Sequence, residues 1–84
     1  MDAQDKKIFI VEDERDILEL IRMQLNSAGF TAKGFETALP MLNLLKIEHP
    51  DLLILDLMLP DIDGMEVCRQ LKNDKATQKI PILM

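Results

Sequence analysis

Tryptophan and tyrosine are absent and phenylalanine occurs three times in 84 residues, so the flat aromatic surfaces on which nucleic-acid bases stack are poorly supplied. A single cysteine, Cys68, excludes an internal disulfide. There is no apolar segment of the roughly 18 residues that a membrane-spanning helix needs, and no signal-like start. Positive charge is in the minority: ten Lys and Arg against fifteen Asp and Glu give a net charge of −5, and the pI is near 4.7. That balance disfavours nucleic acid or an anionic membrane as a direct partner and suits a cation or a basic protein. The default expectation is a soluble cytoplasmic protein.

Linkers, internal repeats and low-complexity tracts are also lacking. The chain is one domain at most, and folded chains this short bury only about 60 to 65% of their unfolded surface. Aliphatic residues and methionine must build the core.

Residues 1 to 7 are polar and expected to fray. The apolar run Ile8, Phe9, Ile10 and Val11 reads as a strand over about 8–11, buried on both faces. Leu18, Ile21, Leu25 and Ala28 recur at helical spacing, which predicts an amphipathic helix over about 15–28 that stops at Gly29. A short mixed segment over about 30–35 suits an edge strand, with Thr31 and Lys33 toward water. Thr37 is placed to cap a helix over about 38–48, with Pro40 in its first turn, Met41, Leu42 and Leu45 inward, and Pro50 ending it.

A third strand spans about 52–56. A turn-rich loop through Pro60, Asp61, Asp63 and Gly64 leads to a helix over about 64–73 with Val67, Cys68 and Leu71 inside. After a polar stretch holding Lys72, Lys75 and Lys79, an apolar run predicts a fourth strand over about 81–84. Strands alternating with helices of this length specify right-handed βαβ units: an open α/β fold with a parallel sheet and helices on both faces.

The charges that stand out are those placed after the strands. Asp56 ends the run Leu52, Leu53, Ile54 and Leu55, and the pair Glu12 and Asp13 follows Val11. In open α/β sheets ligands bind outside the carboxyl ends of the strands, so strands 1 and 3 are expected to be neighbours there. Three carboxylates gathered at one sheet edge repel by roughly several kcal/mol at an effective dielectric near 20, and Mg²⁺ would relieve that strain. Taken singly, Glu12-Asp13 reads as a solvated helix start and Asp56 as a turn residue. Their joint placement after two separate apolar strands favours a site. Asp61-Ile62-Asp63-Gly64 lacks the downstream glutamate of a calcium loop and reads as turn chemistry. Cys68 and His49 read as a small core residue and a helix-end residue.

Val11-Glu12-Asp13-Glu14, the stretch Leu53 to Pro60 and Asp61-Ile62-Asp63-Gly64-Met65-Glu66 together resemble the receiver domain of bacterial two-component response regulators, as do Pro50-Asp51-Leu52 and Ile80-Pro81-Ile82-Leu83. The resemblance runs from about Lys7 to Met84. It implies a flavodoxin-like sheet with strand order 2-1-3-4. It also implies that Asp56 is the phosphoacceptor, taking a phosphoryl group from a histidine kinase, with Mg²⁺ held by Asp13, Asp56 and the Met58 backbone carbonyl and by Glu12 through water. An effector domain or downstream protein in the full-length parent would read the switch.

The family continues past its fourth strand with a hydroxyl residue, a further helix, a fifth strand ending in lysine and a last helix. None of these is in the 84 residues, so the expectation is a receiver fragment with impaired phosphoryl chemistry and an exposed fourth-strand region that a homodimer or swapped oligomer would cover. Three other readings compete. One is a non-phosphorylated interaction or dimerisation module, and another a purely structural α/β dimer. The third is a small Mg²⁺-dependent phosphatase, which would place a second acid where Met58 stands.

Overall fold

The computed structural model describes residues 6–84, and the expected frayed start falls, for residues 1–5, outside them. Four parallel strands and three helices alternate in the order β1 Lys7–Val11, α1 Arg15–Ser27, β2 Thr31–Phe35, α2 Ala38–Leu44, β3 Leu52–Leu55, α3 Gly64–Lys72 and β4 Ile82–Leu83. The sheet order is β2-β1-β3-β4, all pairs parallel. This is the open α/β fold that the sequence pattern predicts, in the order 2-1-3-4 that the resemblance implies.

The continuous apolar character of β1 follows from its central position. Phe9 and Val11 point to the face that α2 and α3 cover, where they meet Met41, Leu53, Leu55, Val67 and Leu71. Ile8 and Ile10 point to the face that α1 covers with Leu18. Strand side chains alternate between faces, so only a strand flanked on both sides by helices can bury four consecutive residues. Phe9 and Phe35 stack edge to face with ring centroids 5.5 Å apart, tying β2 to the larger core. Gly29 ends α1 with φ at 99°, a left-handed conformation that glycine adopts without steric cost.

Element ends fall within one residue of expectation except at the end of α2. Helix α2 stops at Leu44 rather than Glu48. Beyond it the chain tightens, with the N–H of Lys46 donating to the Asn43 carbonyl (3.3 Å) and that of Ile47 to the Leu44 carbonyl (3.0 Å). Glu48 is drawn to β1 and β2 by Lys7 at 3.6 Å and Lys33 at 3.1 Å, while buried Pro50 forbids a helical continuation. Strand β4 is limited to Ile82–Leu83, paired with Leu53 and Ile54.

The fourth-strand region is also less exposed than expected. Ile80 is buried in the main core and Ile82 packs against it, whereas Leu83 and Met84 are exposed. The turn before β4 is fixed by Thr77, itself buried, whose hydroxyl donates to the Leu71 carbonyl at 2.8 Å. Among the described residues, no helix is long and apolar enough to cross a membrane.

Candidate functional site

Backbone hydrogen bonds of the central ladder bring the acidic residues together. The N–H of Asp56 donates to the Val11 carbonyl at 3.0 Å, and that of Glu12 to the Phe35 carbonyl at 2.9 Å. Both residues are therefore held at the carboxyl edge of the sheet, immediately beyond the paired residues Val11 and Leu55. Asp13, next in the chain, completes a group in which one carboxylate oxygen from each of Glu12, Asp13 and Asp56 lies within 4.8 Å of the others.

This group is short of positive charge. Among the described residues, none of the three carboxylates forms an ion pair with a lysine or arginine; nearby Arg15 pairs instead with Glu36 at 3.4 Å. The Glu14 N–H donates to Glu12 Oε2 at 2.9 Å and pulls the Glu12 pKa down. Burial, hydrogen bonding to Asp13 and the charges of Asp56 and Asp13 outweigh it, so Glu12 holds its proton above the ordinary glutamate value. Three clustered carboxylates form a hard, all-oxygen donor set, the kind that suits Mg²⁺ better than a soft metal.

Met58 lies beside this group with its side chain almost fully exposed, and its N–H donates to Asp56 Oδ1 at 3.1 Å. Asp13 and residues 57–63 line one shallow, open depression of about 430 Å³. Gly64 closes the loop: its N–H donates to the Leu57 carbonyl at 3.0 Å. It is needed here for close approach, since a Cβ at Gly64 would stand 2.7 Å from the Leu57 Cα.

The acidic turn after Pro60 does more than the sequence revealed. Asp63 caps α3 by accepting from the Met65 N–H at 2.9 Å. Asp61 caps a different helix, α2: Oδ1 accepts from the Ala38 N–H at 3.0 Å and Oδ2 from the Leu39 N–H at 2.8 Å. Thr37, expected to cap α2, stands at the N-cap position but makes no side-chain cap bond. Pro40 brings no N–H, so the carboxylate of Asp61 meets both donors that the first turn after Thr37 still offers. No local pattern could have announced this contact, because its partners lie 22 and 23 residues away.

The sequence model of the response regulator receiver domain matches residues 8–84. The chain belongs to that family. As a receiver domain it is 43% identical over 83 residues to the alkaline phosphatase synthesis transcriptional regulatory protein PhoP of Bacillus subtilis, a match covering 95% of this chain and 32% of PhoP. The receiver thus spans about a third of that relative's length. In structure it is similar to the N-terminal domain of a response regulator receiver protein from Methanoculleus marisnigri, with a TM-score of 0.89 and 31% identity over 95% of this chain and 65% of that one. It is also similar to response regulator TrrA of Thermotoga maritima, solved in complex with Mg²⁺ and BeF, with a TM-score of 0.77 and 33% identity over 83% of this chain and 61% of that one.

Proposed function

We propose that this receiver is a phosphoacceptor module of a two-component response regulator, with Asp56 as the acceptor and a histidine kinase as the donor. The observation that carries the reading is the convergence of Glu12, Asp13 and Asp56 within 4.8 Å at the carboxyl edge of the sheet. A carboxylate oxygen of Asp56 attacks the phosphorus of the kinase's phosphohistidine. The new P–O bond makes an acyl phosphate as the P–N bond breaks, and its electron pair returns to the imidazole nitrogen.

Asp13, Asp56 and the Met58 backbone carbonyl would hold Mg²⁺ directly and Glu12 would hold it through water. The cation would neutralise charge developing on the phosphoryl oxygens. Complex formation of the related TrrA with Mg²⁺ and BeF supports this assignment. Met58 keeps its side chain out of the group, leaving its backbone beside Asp56.

PhoP is a transcriptional regulator by name, which supports an effector domain or downstream protein as the reader of the switch in the parent protein. The acidic surface of this segment favours no direct contact with nucleic acid or membrane, and a cytoplasmic location follows from the kinase partnership.

A second reading, a non-phosphorylated interaction or dimerisation module, is favoured by the exposed apolar side chains of Leu83, Met84 and Met65 beside β4 and α3. Acetyl phosphate with Mg²⁺ distinguishes the two. Mass spectrometry is expected to find a base-labile adduct on the chain that is missing in Asp56→Asn. An adduct that persists in Asp56→Asn removes Asp56 as acceptor, and no Mg²⁺ binding at any millimolar concentration removes the metal site.

A further inference from the structure

The depression beside Asp56 is lined by Asp13, Asp63 and Asp61; Asp61 does not join the three-acid group despite its place in the same loop. Its oxygens are occupied elsewhere. Oδ1 accepts from Ala38 and Ile62 N–H groups, each at 3.0 Å, and Oδ2 from the Leu39 N–H at 2.8 Å. Ala38 is fully buried and Met41, one turn on, is too, so the start of α2 is a rigid anchor.

The loop from Leu57 to Asp63 needs such an anchor. Its near end is fixed by Asp56 on the β1 ladder and by Gly64 on the Leu57 carbonyl, and its far end by Asp63 on the Met65 N–H. Between these ends Leu59 and Ile62 pack against the core without direction-specific bonds of their side chains. Within the stretch the Met58 N–H donates to Asp56 Oδ1, and among the described residues the Asp61 carboxylate ties the stretch by hydrogen bonds to α2.

We infer that Asp61 is a positioning residue for the acidic site: by clamping the β3–α3 loop to the first turn of α2, it fixes the backbone around Met58 that the site offers to Mg²⁺. This rests on the metal site proposed above. Ligand-bearing backbone that is held by a buried anchor reorganises less on binding a cation, and loss of a comparable outer partner typically weakens metal affinity by about 10- to 100-fold.

The test measures Mg²⁺ affinity calorimetrically and amide hydrogen exchange by NMR in the wild type, Asp61→Ala, Asp61→Asn and Thr77→Val. Asp61→Ala is expected to bind Mg²⁺ about tenfold more weakly, at the lower end of that range. The amides of Ala38, Leu39 and Met58 should exchange faster while those of Phe9 and Ile10 stay protected. Asp61→Asn keeps one acceptor oxygen and is expected to recover part of the affinity; it also serves if Asp61→Ala fails to fold. Thr77→Val removes a buried hydrogen bond far from the acidic group, so it lowers stability and leaves Mg²⁺ affinity unchanged.

Wild-type affinity in both Asp61 variants overturns the clamp while leaving the metal site standing. An equal loss of affinity in Thr77→Val also overturns it, since general destabilisation would then account for the effect. No Mg²⁺ binding by the wild type overturns the metal site and the clamp's role in it together.

Discussion

A Cβ on Gly64 would stand 2.8 Å from the carbonyl oxygen of Asp56, closer than real side chains come to backbone. Helix α3 therefore begins in contact with the main chain of Asp56, and only hydrogen fits between them. Gly64→Ala must push the β3–α3 loop away from the end of β3. Overpacking of this kind costs about 1–3 kcal/mol, read as a lower urea midpoint at unchanged slope. Gly34→Ala is the comparison: its Cβ would meet Leu18 Cδ1 at 2.9 Å, the far end of a flexible side chain that can move aside. Equal losses in the two variants would contradict the account.

Acid should remove the Asp61 clamp in a defined direction. Burial raises the Asp61 pKa, but the N–H groups of Ala38, Leu39, Asp61 itself and Ile62 together pull it below the ordinary aspartate value of about 3.8. A depressed folded-state pKa contributes stability that is fully present above the unfolded value and lost as pH falls through the folded one. The stability difference between wild type and Asp61→Asn should thus stay constant from neutral pH down to about 3.8 and shrink below it. The depressed Glu19, Glu48 and Glu66 titrate in both proteins and cancel. Glu12, whose raised pKa acts in the opposite sense, cancels as well. Urea titrations at a series of pH values check this, and a difference that already shrinks above pH 5 would sink it.

The 84-residue chain should self-associate through β4. That strand pairs with β3 on one side, and among the described residues no strand pairs with it on the other. Leu83 and Met84 lie exposed beside it, and unpaired strand edges flanked by apolar groups recruit further strands. Sedimentation at low micromolar concentration is expected to show a dimer that Leu83→Lys disrupts. A compact monomer at all concentrations would count decisively against pairing.

The sequence alone determined the layering and the acids. Four consecutive buried residues in β1 require helices on both faces, and carboxylates placed after two apolar strands fall at one sheet edge once those strands are parallel neighbours. These are short-range patterns, written in alternation and in the residue after each run. The strand order came instead from family resemblance, because β pairing joins segments far apart in the chain.

Only the tertiary structure decided how the elements end and what holds the loop. Helix α2 stops four residues early because Glu48 answers to lysines on two strands, and its first turn is capped by Asp61 rather than by adjacent Thr37. Ile80, expected at the exposed end of the sheet, is buried because the Thr77 turn folds it onto α3. For Glu48 and Asp61 the deciding partners are distant in sequence. A carboxylate's local context states that it needs donors, and only the fold states which donors are within reach.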